Sequence, residues 1–373
     1  MVFTDVLVVG AGVAGCAAAQ LLARHHRVLV LDRFTTPRAR IGESVPGASR
    51  RLLQRLGLLE EFEASGHRAS LGQASLWGTS AVRYRDSLKD PLGCGWCIDR
   101  VVFDTMLRRA AQASGAQIVA STRLAELARS PGEKPLWLAT FEMGELTVQV
   151  HANFLVLAHG RHQPFGELKM SMNVQYFDRL VCRFLTLPGD TECDALSGFS
   201  FVEAAPEGWW YRNTLPDGNW IVAYHTDSDL PSARQACRPE GFLELLRATQ
   251  SMKATPVSCI TSIQGTSARS QAANTMSGSD WCAIGDAVCA FDPLASQGIF
   301  NALYTGVRGA EAISARLRGD AQALTRYRQQ MGQVVRAYRA NLGRFYGLER
   351  RFSNNVFWQR RHRQTAPLLA LQP

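Results

Sequence analysis

Short apolar runs punctuated by glycine-rich turns open the chain. Asp5-Val6-Leu7-Val8-Val9 reads as a strand buried on both faces, because such strands show a continuous apolar run rather than alternation. It ends at Gly10-Ala11-Gly12-Val13-Ala14-Gly15. The Ala- and Leu-rich stretch 16–24 predicts a helix packed close to a sheet. Residues 26–31 predict a second strand, with Asp32 at its end. The regular alternation then breaks. Arg40-Ile41-Gly42-Glu43-Ser44-Val45-Pro46-Gly47 reads as a loop before a helix over 48–56. An extended segment over 96–100 leads to a helix over 103–113, and Ser114-Gly115 is a stop signal before a strand over 116–120. Residues 136–141 and 146–150 predict a hairpin, and 154–158 a further short strand ending at His159-Gly160-Arg161.

From about residue 163 to 278 the pattern shifts to longer, aromatic-rich β runs at 180–187, 208–215 and 219–224. Pro216-Asp217-Gly218 is a turn between the last two. The chain returns to the first pattern at Trp281-Cys282-Ala283-Ile284-Gly285-Asp286, and helices follow over 298–317 and much of 321–347. This order predicts an α/β fold with a discontinuous nucleotide-binding domain, 1–162 and 279–320. A mostly antiparallel substrate domain over 163–278 is inserted into it, with parts of 60–100, and 321–373 form a C-terminal helical region.

Composition narrows the classes without naming one. The 373 residues are 46% hydrophobic and 20% charged, as expected of a folded globular chain. No apolar run is long enough to span a bilayer, and no signal peptide opens the chain, so a cytoplasmic location is expected. Nine scattered cysteines argue against a disulfide framework. Cys94-Gly95-Trp96-Cys97 lacks a thioredoxin-like context, and no second ligand pair makes it a metal site. The net charge of +9 is concentrated late: beyond residue 300 there are 13 arginines and no lysine against Glu311, Asp320 and Glu349. That excess fits either a solvated helical face or a dock for an anionic partner. No nucleic-acid motif accompanies it.

Gly-x-Gly-x-x-Gly between a strand and a helix, completed by an acidic residue about 20 positions on, is the dinucleotide fingerprint. Gly10 makes the tight turn, Gly12 lets a pyrophosphate approach the backbone, and Gly15 lets helix and strand pack closely. Asp32 accepts from ribose hydroxyls. The motif alone does not separate NAD from FAD.

A distant segment separates them. Gly285-Asp286-Ala287 and Pro293-Leu294-Ala295-Ser296-Gln297-Gly298 resemble the second FAD motif of flavoprotein monooxygenases of the p-hydroxybenzoate hydroxylase-like fold. In that family the Asp binds ribityl hydroxyls and the helix N-terminus faces the flavin pyrimidine, where its dipole favours negative charge on the reduced ring. Gly42-Glu43-Ser44 with Pro46, and Phe291-Asp292-Pro293, look like the halogenase branch. Asp99-Arg100 with Phe103-Asp104 and Leu107 resembles that branch's Asp-Arg-x-x-Phe-Asp-x-x-Leu segment, whose Arg approaches FAD. Gly208-Trp209-Trp210-Tyr211 with Leu215-Pro216-Asp217-Gly218 resembles the LodB/GoxB-type flavoproteins that mature quinone cofactors. The resemblance implies a single Rossmann-type FAD-binding domain with an inserted antiparallel β-sheet substrate domain and a C-terminal helical region. It also implies FAD contacts from Gly10, Gly12, Ala14, Gly15, Asp32, Arg33, Arg40, Ser44, Arg100, Asp286, Pro293, Ser296, Gln297 and Gly298.

Two departures bear on chemistry. His159-Gly160-Arg161 stands where the superfamily often has Asp-Gly, a segment that helps with pyridine nucleotide. Either NAD(P)H or a separate flavin reductase is therefore the expected electron source. The halogenases' Trp-x-Trp-x-Ile-Pro block is missing, residues 71–86 hold no lysine, and Lys89 falls in an expected loop. On the substrate side Glu43, Trp210 and His225 are the catalytic candidates, with Asp227 a further proton-transfer group. Trp209, Trp210 and Tyr211 alternate across their strand, so only one face of it can line a cavity. The expected activity is hydroxylation of an electron-rich aromatic group, as in a peptide- or protein-bound Trp or Tyr during cofactor maturation. The alternatives are a small-molecule or carrier-tethered hydroxylase, a halogenase, an FAD-dependent reductase or dehydrogenase, and a non-catalytic flavin-binding scaffold.

Overall fold

The computed structural model describes residues 2–87, 90–131, 136–161, 172–189, 198–255 and 262–369, with side chains to residue 363. Lys89 and the expected start of the insertion at 163 lie outside the described residues.

Strand Val2–Val9 lies between Val28–Leu31 and Leu146–Leu157, parallel to both. Gln117–Val119 extends this sheet on one side. On the other, Trp137–Met143 and Arg123–Arg129 add antiparallel strands, and Trp281–Ala283 pairs with the far end of Leu146–Leu157. The apolar pattern predicts two strands over 146–150 and 154–158. They form one of 12 residues, because its first half pairs with the hairpin partner and its second half with the parallel core. Helix α1 (Val13–Leu22) follows the glycine turn. Helix α2 (Arg100–Ala113) starts three residues earlier than the apolar pattern suggests, since the Asp99 carboxylate caps it by accepting from Val101 N (2.7 Å) and Val102 N (3.0 Å). Helix α3 (Gly298–Leu317) packs on α1.

The second large sheet runs Gln264–Ser267, Leu180–Leu187, Trp220–Asp227, Gly208–Thr214, Phe199–Ala205, Gly72–Leu76, Arg83–Asp86. All neighbours are antiparallel except Phe199–Ala205 on Gly72–Leu76. Its two faces bury different partners. Trp210, Trp220, Val222 and Tyr224 pack against Phe242 and Leu246 of helix Pro239–Arg247. Trp209, Ile221, Ala223, Cys182 and Phe184 pack against Tyr346 of helix α4 (Ala323–Leu348) and Phe357 and Trp358 of helix α5 (Val356–Leu369).

Two of the arginines beyond residue 300, Arg360 and Arg361, pair with acids outside that region. Arg361 and Asp227 are both buried and meet at 2.9 Å, with the Arg361 guanidinium 3.4 Å from the centre of the Phe357 ring. Arg360 bridges Asp227 and Asp229, and Arg351 pairs with fully buried Glu349, which also accepts from Gly78 N (2.8 Å). Asp227, a proton-transfer candidate on sequence, is thus the anchor for α5. Removing one partner of a buried pair strands a charge in a low-dielectric interior, so Arg361→Met should lower stability by about 3 kcal/mol in urea denaturation. Arg308→Met, which breaks an exposed pair with Glu311, should cost under about 1 kcal/mol. Equal losses in the two variants would mean that α5 does not clasp the sheet.

Candidate active site

The first turn is shaped by close packing on one side and open space on the other. Gly10 sits at φ +111°, and a Cβ there would meet the Ala158 carbonyl oxygen at 2.3 Å. A Cβ at Gly15 would lie 1.9 Å from the Gly10 oxygen. Only hydrogen fits at either position, so α1 rests directly on the strand end. At Gly12, by contrast, a Cβ would meet nothing within 4 Å. The α1 N-terminus has no side-chain cap and no acidic residue in its first turn. Its leading N–H groups therefore face free space carrying partial positive charge, the condition a pyrophosphate requires.

The second motif repeats this arrangement. Gln297 leaves the α3 N-terminus without a side-chain cap, no acid lies in its first turn, and Gly298 opens on free space. Ser296 turns the chain into the helix at φ +50°. The two helices meet through small residues: a Cβ at Gly306 would come 2.6 Å from the Ala14 oxygen, and one at Gly285 2.8 Å from the Ala14 side chain. Ala14 is therefore a packing residue between α1 and α3. The first strand feeds α1 at its carboxyl end and has its parallel neighbours Val28–Leu31 and Leu146–Leu157 on opposite sides, the place where the strand order reverses direction.

Helix α2 presents Arg100, Asp104 and Arg108, four residues apart, along one face toward the segment from Asp32 to Gly42. Arg108 pairs with Asp32 and donates to the Thr35 oxygen (2.7 Å), while Asp32 also accepts from Phe34 N (3.2 Å). Asp104 is shared by Arg40 and Arg100, and Arg100 Nη1 donates to the Gly42 oxygen at 2.9 Å. Arg33 is exposed, its guanidinium on the Phe34 ring. Ser44 belongs to a short strand paired with Gly95–Cys97. The sequence motifs do not single out Arg108, although its spacing from Arg100 and Asp104 signals a shared helix face.

Those motifs give Arg161 no role either. It donates to Asp286 Oδ2 (3.1 Å), the Arg269 oxygen (3.1 Å) and the Phe291 oxygen (3.0 Å), so it ties the strand end after Leu157 to Asp286 and to the segment ahead of Pro293.

Between the nucleotide-side loop and the second sheet lies a buried carboxylate–phenol pair. Glu43, 2% exposed, accepts from Tyr211 Oη at 2.6 Å and from Gly42 N at 2.9 Å. Desolvation and the adjacent Glu43 carboxylate hold the Tyr211 hydroxyl well above its ordinary range, so it stays protonated and donates to Glu43. Tyr211 packs, with partly buried Ile41, Val202, Leu215 and Leu294, against the cluster that includes Trp209, Phe184 and Trp358.

The two other catalytic candidates stand apart from this pair. Trp210 has no exposed surface and packs on Tyr224 and Phe242, on the sheet face turned away from Glu43. Strand alternation gives the Glu43 side to Trp209 and Tyr211 instead. His225 is 1% exposed and stacked on Trp209 at 3.7 Å. Burial pushes its pKa down to about 3, so the ring is neutral at physiological pH and poorly suited to proton transfer. Cys97 is buried and its thiol pushed far up by desolvation, while Cys94 is a free thiol, so the pair forms no disulfide.

The residues fit FAD: two uncapped helix N-termini open on free space, with carboxylates at Asp32 and Asp286. Similarity to known proteins points the same way. Residues 3–341 match the FAD binding domain family. The FAD-dependent oxidoreductase LodB of Marinomonas mediterranea is 29% identical over 96% of both chains. The myxobacterial chondrochloren halogenase CndH superposes with a TM-score of 0.82 at 23% identity, covering 99% of this chain and 89% of that one. The peptidyl tryptophan dihydroxylase QhpG, essential for tryptophylquinone cofactor biogenesis, gives 0.71 at 24% identity, covering 96% and 78%. Both superpositions show a shared fold.

Space at residue 12 gives a clean test. Gly12→Val should leave the melting temperature of the apoprotein unchanged and abolish FAD binding in a fluorescence titration. Gly15→Ala should instead destabilise the apoprotein, because the turn has no room for a methyl group. Wild-type FAD affinity in Gly12→Val would put the cofactor elsewhere.

Proposed function

The chain belongs to the FAD binding domain family and is an FAD-dependent oxidoreductase, and from that premise we propose that it hydroxylates an electron-rich aromatic group presented by a peptide or protein. The Glu43–Tyr211 pair carries the reading. In this reading the α1 N-terminus and Gly12 hold the pyrophosphate, and Asp32, oriented by Arg108, serves the ribose end. Asp286, oriented by Arg161, would hold the ribityl chain, and Ser296, Gln297 and Gly298 would hold the ring. Bound FAD supplies the redox chemistry and the activation of O₂.

The chain's own residues recognise and orient. Tyr211 donates its single proton to Glu43, which leaves its oxygen as an acceptor. The Asn213 side chain also hydrogen-bonds this hydroxyl, so the pair is a satisfied polar edge, which an indole N–H or phenol O–H complements better than an all-carbon ring. Val202, directly across the strand pair from Tyr211, adds apolar surface on the same side. Glu43 is the base that receives the substrate proton through Tyr211. The peptide-bound form of the substrate is supported by the tryptophan dihydroxylase among the structural neighbours. Electrons arrive from a separate reductase in this reading, since His159-Gly160-Arg161 stands where the superfamily often has Asp-Gly, the segment that helps with pyridine nucleotide.

Oxygen uptake with reduced flavin, coupled to mass spectrometry of tryptophan- and tyrosine-containing peptides, tests the proposal. The expected product gains one or two oxygen atoms. Glu43→Gln should lower turnover about 100-fold and Tyr211→Phe about tenfold, both with full FAD occupancy. Bromide-dependent bromination with no oxygen insertion would replace hydroxylation with halogenation. Unchanged turnover in both variants would remove the pair from the mechanism.

A further inference from the structure

Asp292 stands just before the turn into α3, and none of the roles above uses it. Its side chain is 2% exposed. Oδ1 accepts from Leu294 N at 2.9 Å, within the turn, and Oδ2 from Tyr346 Oη at 2.8 Å, at the far end of α4. Its own backbone N–H donates to Tyr338 Oη at 2.7 Å, and that hydroxyl lies 2.9 Å from Ser270 Oγ. Helix α4 thus grips one residue through two tyrosines eight positions apart. Tyr346 makes a further contact: its hydroxyl accepts from Trp209 Nε1 at 3.1 Å. Trp209 is two residues from Tyr211, on the same face of the same strand. One short chain of hydrogen bonds therefore runs from the flavin-side turn to the substrate-side sheet.

We propose that Asp292 is a positioning residue that sets the turn 293–298 and, through Tyr346 and Trp209, couples its geometry to the substrate-side face of the second sheet. The inference rests on the FAD-site reading given above. The carboxylate matters as an anion because both of its partners are donors. A protonated carboxyl would offer a proton where Leu294 N–H and Tyr346 O–H already point theirs, and the turn would loosen. Coupling of this kind is reciprocal: a ligand against the sheet alters the flavin surroundings, and flavin alters the sheet.

The proton has a route. A cavity of about 40 Å³, lined by Asp178, Ser270, Asp292, Tyr338, Arg339 and Arg361 among others, reaches the carboxylate and has room for water. The groups that face Asp292 are Tyr338, Arg339 and Tyr346 of α4, Arg361 of α5 and Asp178 ahead of strand Leu180–Leu187, with Arg161 on the neighbouring Phe291 oxygen. Desolvation, reinforced by the charge of Asp178, raises the Asp292 pKa to about 6, whereas the Tyr346 hydrogen bond opposes that rise. The anion therefore prevails above about pH 6 and is lost below it.

The test is a pH titration of the visible absorption of bound FAD, from about pH 8 to about pH 5, in wild type, Asp292→Asn and Tyr346→Phe. In the wild type the spectrum should change with a midpoint near 6. In Asp292→Asn that transition should vanish, and FAD binding should weaken about tenfold at neutral pH. Tyr346→Phe keeps the carboxylate but removes the bond that favours its anion, so the midpoint should move to higher pH. It remains informative if Asp292→Asn does not fold. A merely structural role would lower the melting temperatures and leave the titration unmoved. A wild-type spectrum flat across the range, a transition that persists in Asp292→Asn, or an unshifted midpoint in Tyr346→Phe would each overturn the proposal. Wild-type protein that takes up no FAD would instead overturn the reading on which it rests.

Discussion

Contact without side chains holds the site in place. Where α1 leaves the first strand, a methyl group at Gly15 would sit 1.9 Å from the Gly10 oxygen, and one at Gly306 would sit 2.6 Å from the Ala14 oxygen. Two helices can therefore lie against one sheet, and against each other, each with an N-terminal glycine open on free space. Separation by even one methyl group would swing the termini apart, and the partial charges of the N–H groups fade within the first turn. Asp32, Asp286 and their arginines refine a geometry that hydrogen atoms already dictate.

A different principle governs the second sheet. Its strands offer bulky aromatics on both faces, and each face needs a cover. Helix Pro239–Arg247 covers one, and α4 with α5 covers the other. The second cover is fastened by charge, with Arg361 on Asp227 and Arg351 on Glu349. The arginine-rich end of the sequence, legible as a patch for some anionic partner, is to that extent an internal fastening. The Glu43–Tyr211 pair and the Asp292 chain both lie where this cover, the nucleotide-side loop and the sheet come together.

Features that depend on near neighbours along the chain are legible in the amino-acid sequence. The glycine turn, the strand before it, helix α3 and the Pro216-Asp217-Gly218 hairpin follow from short-range patterning, and FAD follows from two such motifs in resemblance to a known family. Features set by distant pairing are not legible there. Strand Phe199–Ala205 joins Gly72–Leu76 across more than a hundred residues, and nothing local announces it. Alternation says that only one of two faces around Trp209-Trp210-Tyr211 can line a cavity. Which one depends on Glu43, 168 positions from Tyr211. His225 and Asp227 look like proton carriers in a string of letters, and only burial against Trp209 and Arg361 shows them to be packing and anchor.

Arg361 also has a bearing on the order of synthesis. It emerges from the ribosome well after Asp227 and after every strand of the sheet it helps to cover. Until then Asp227 lies beside an apolar face that includes Trp209, Phe184 and Ile221, with its eventual counter-charge still unmade. A nascent chain in that condition is sticky, and chaperones hold such surfaces. Every residue of the two glycine-rich motifs thus precedes, in the order of synthesis, the segment that fastens the sheet.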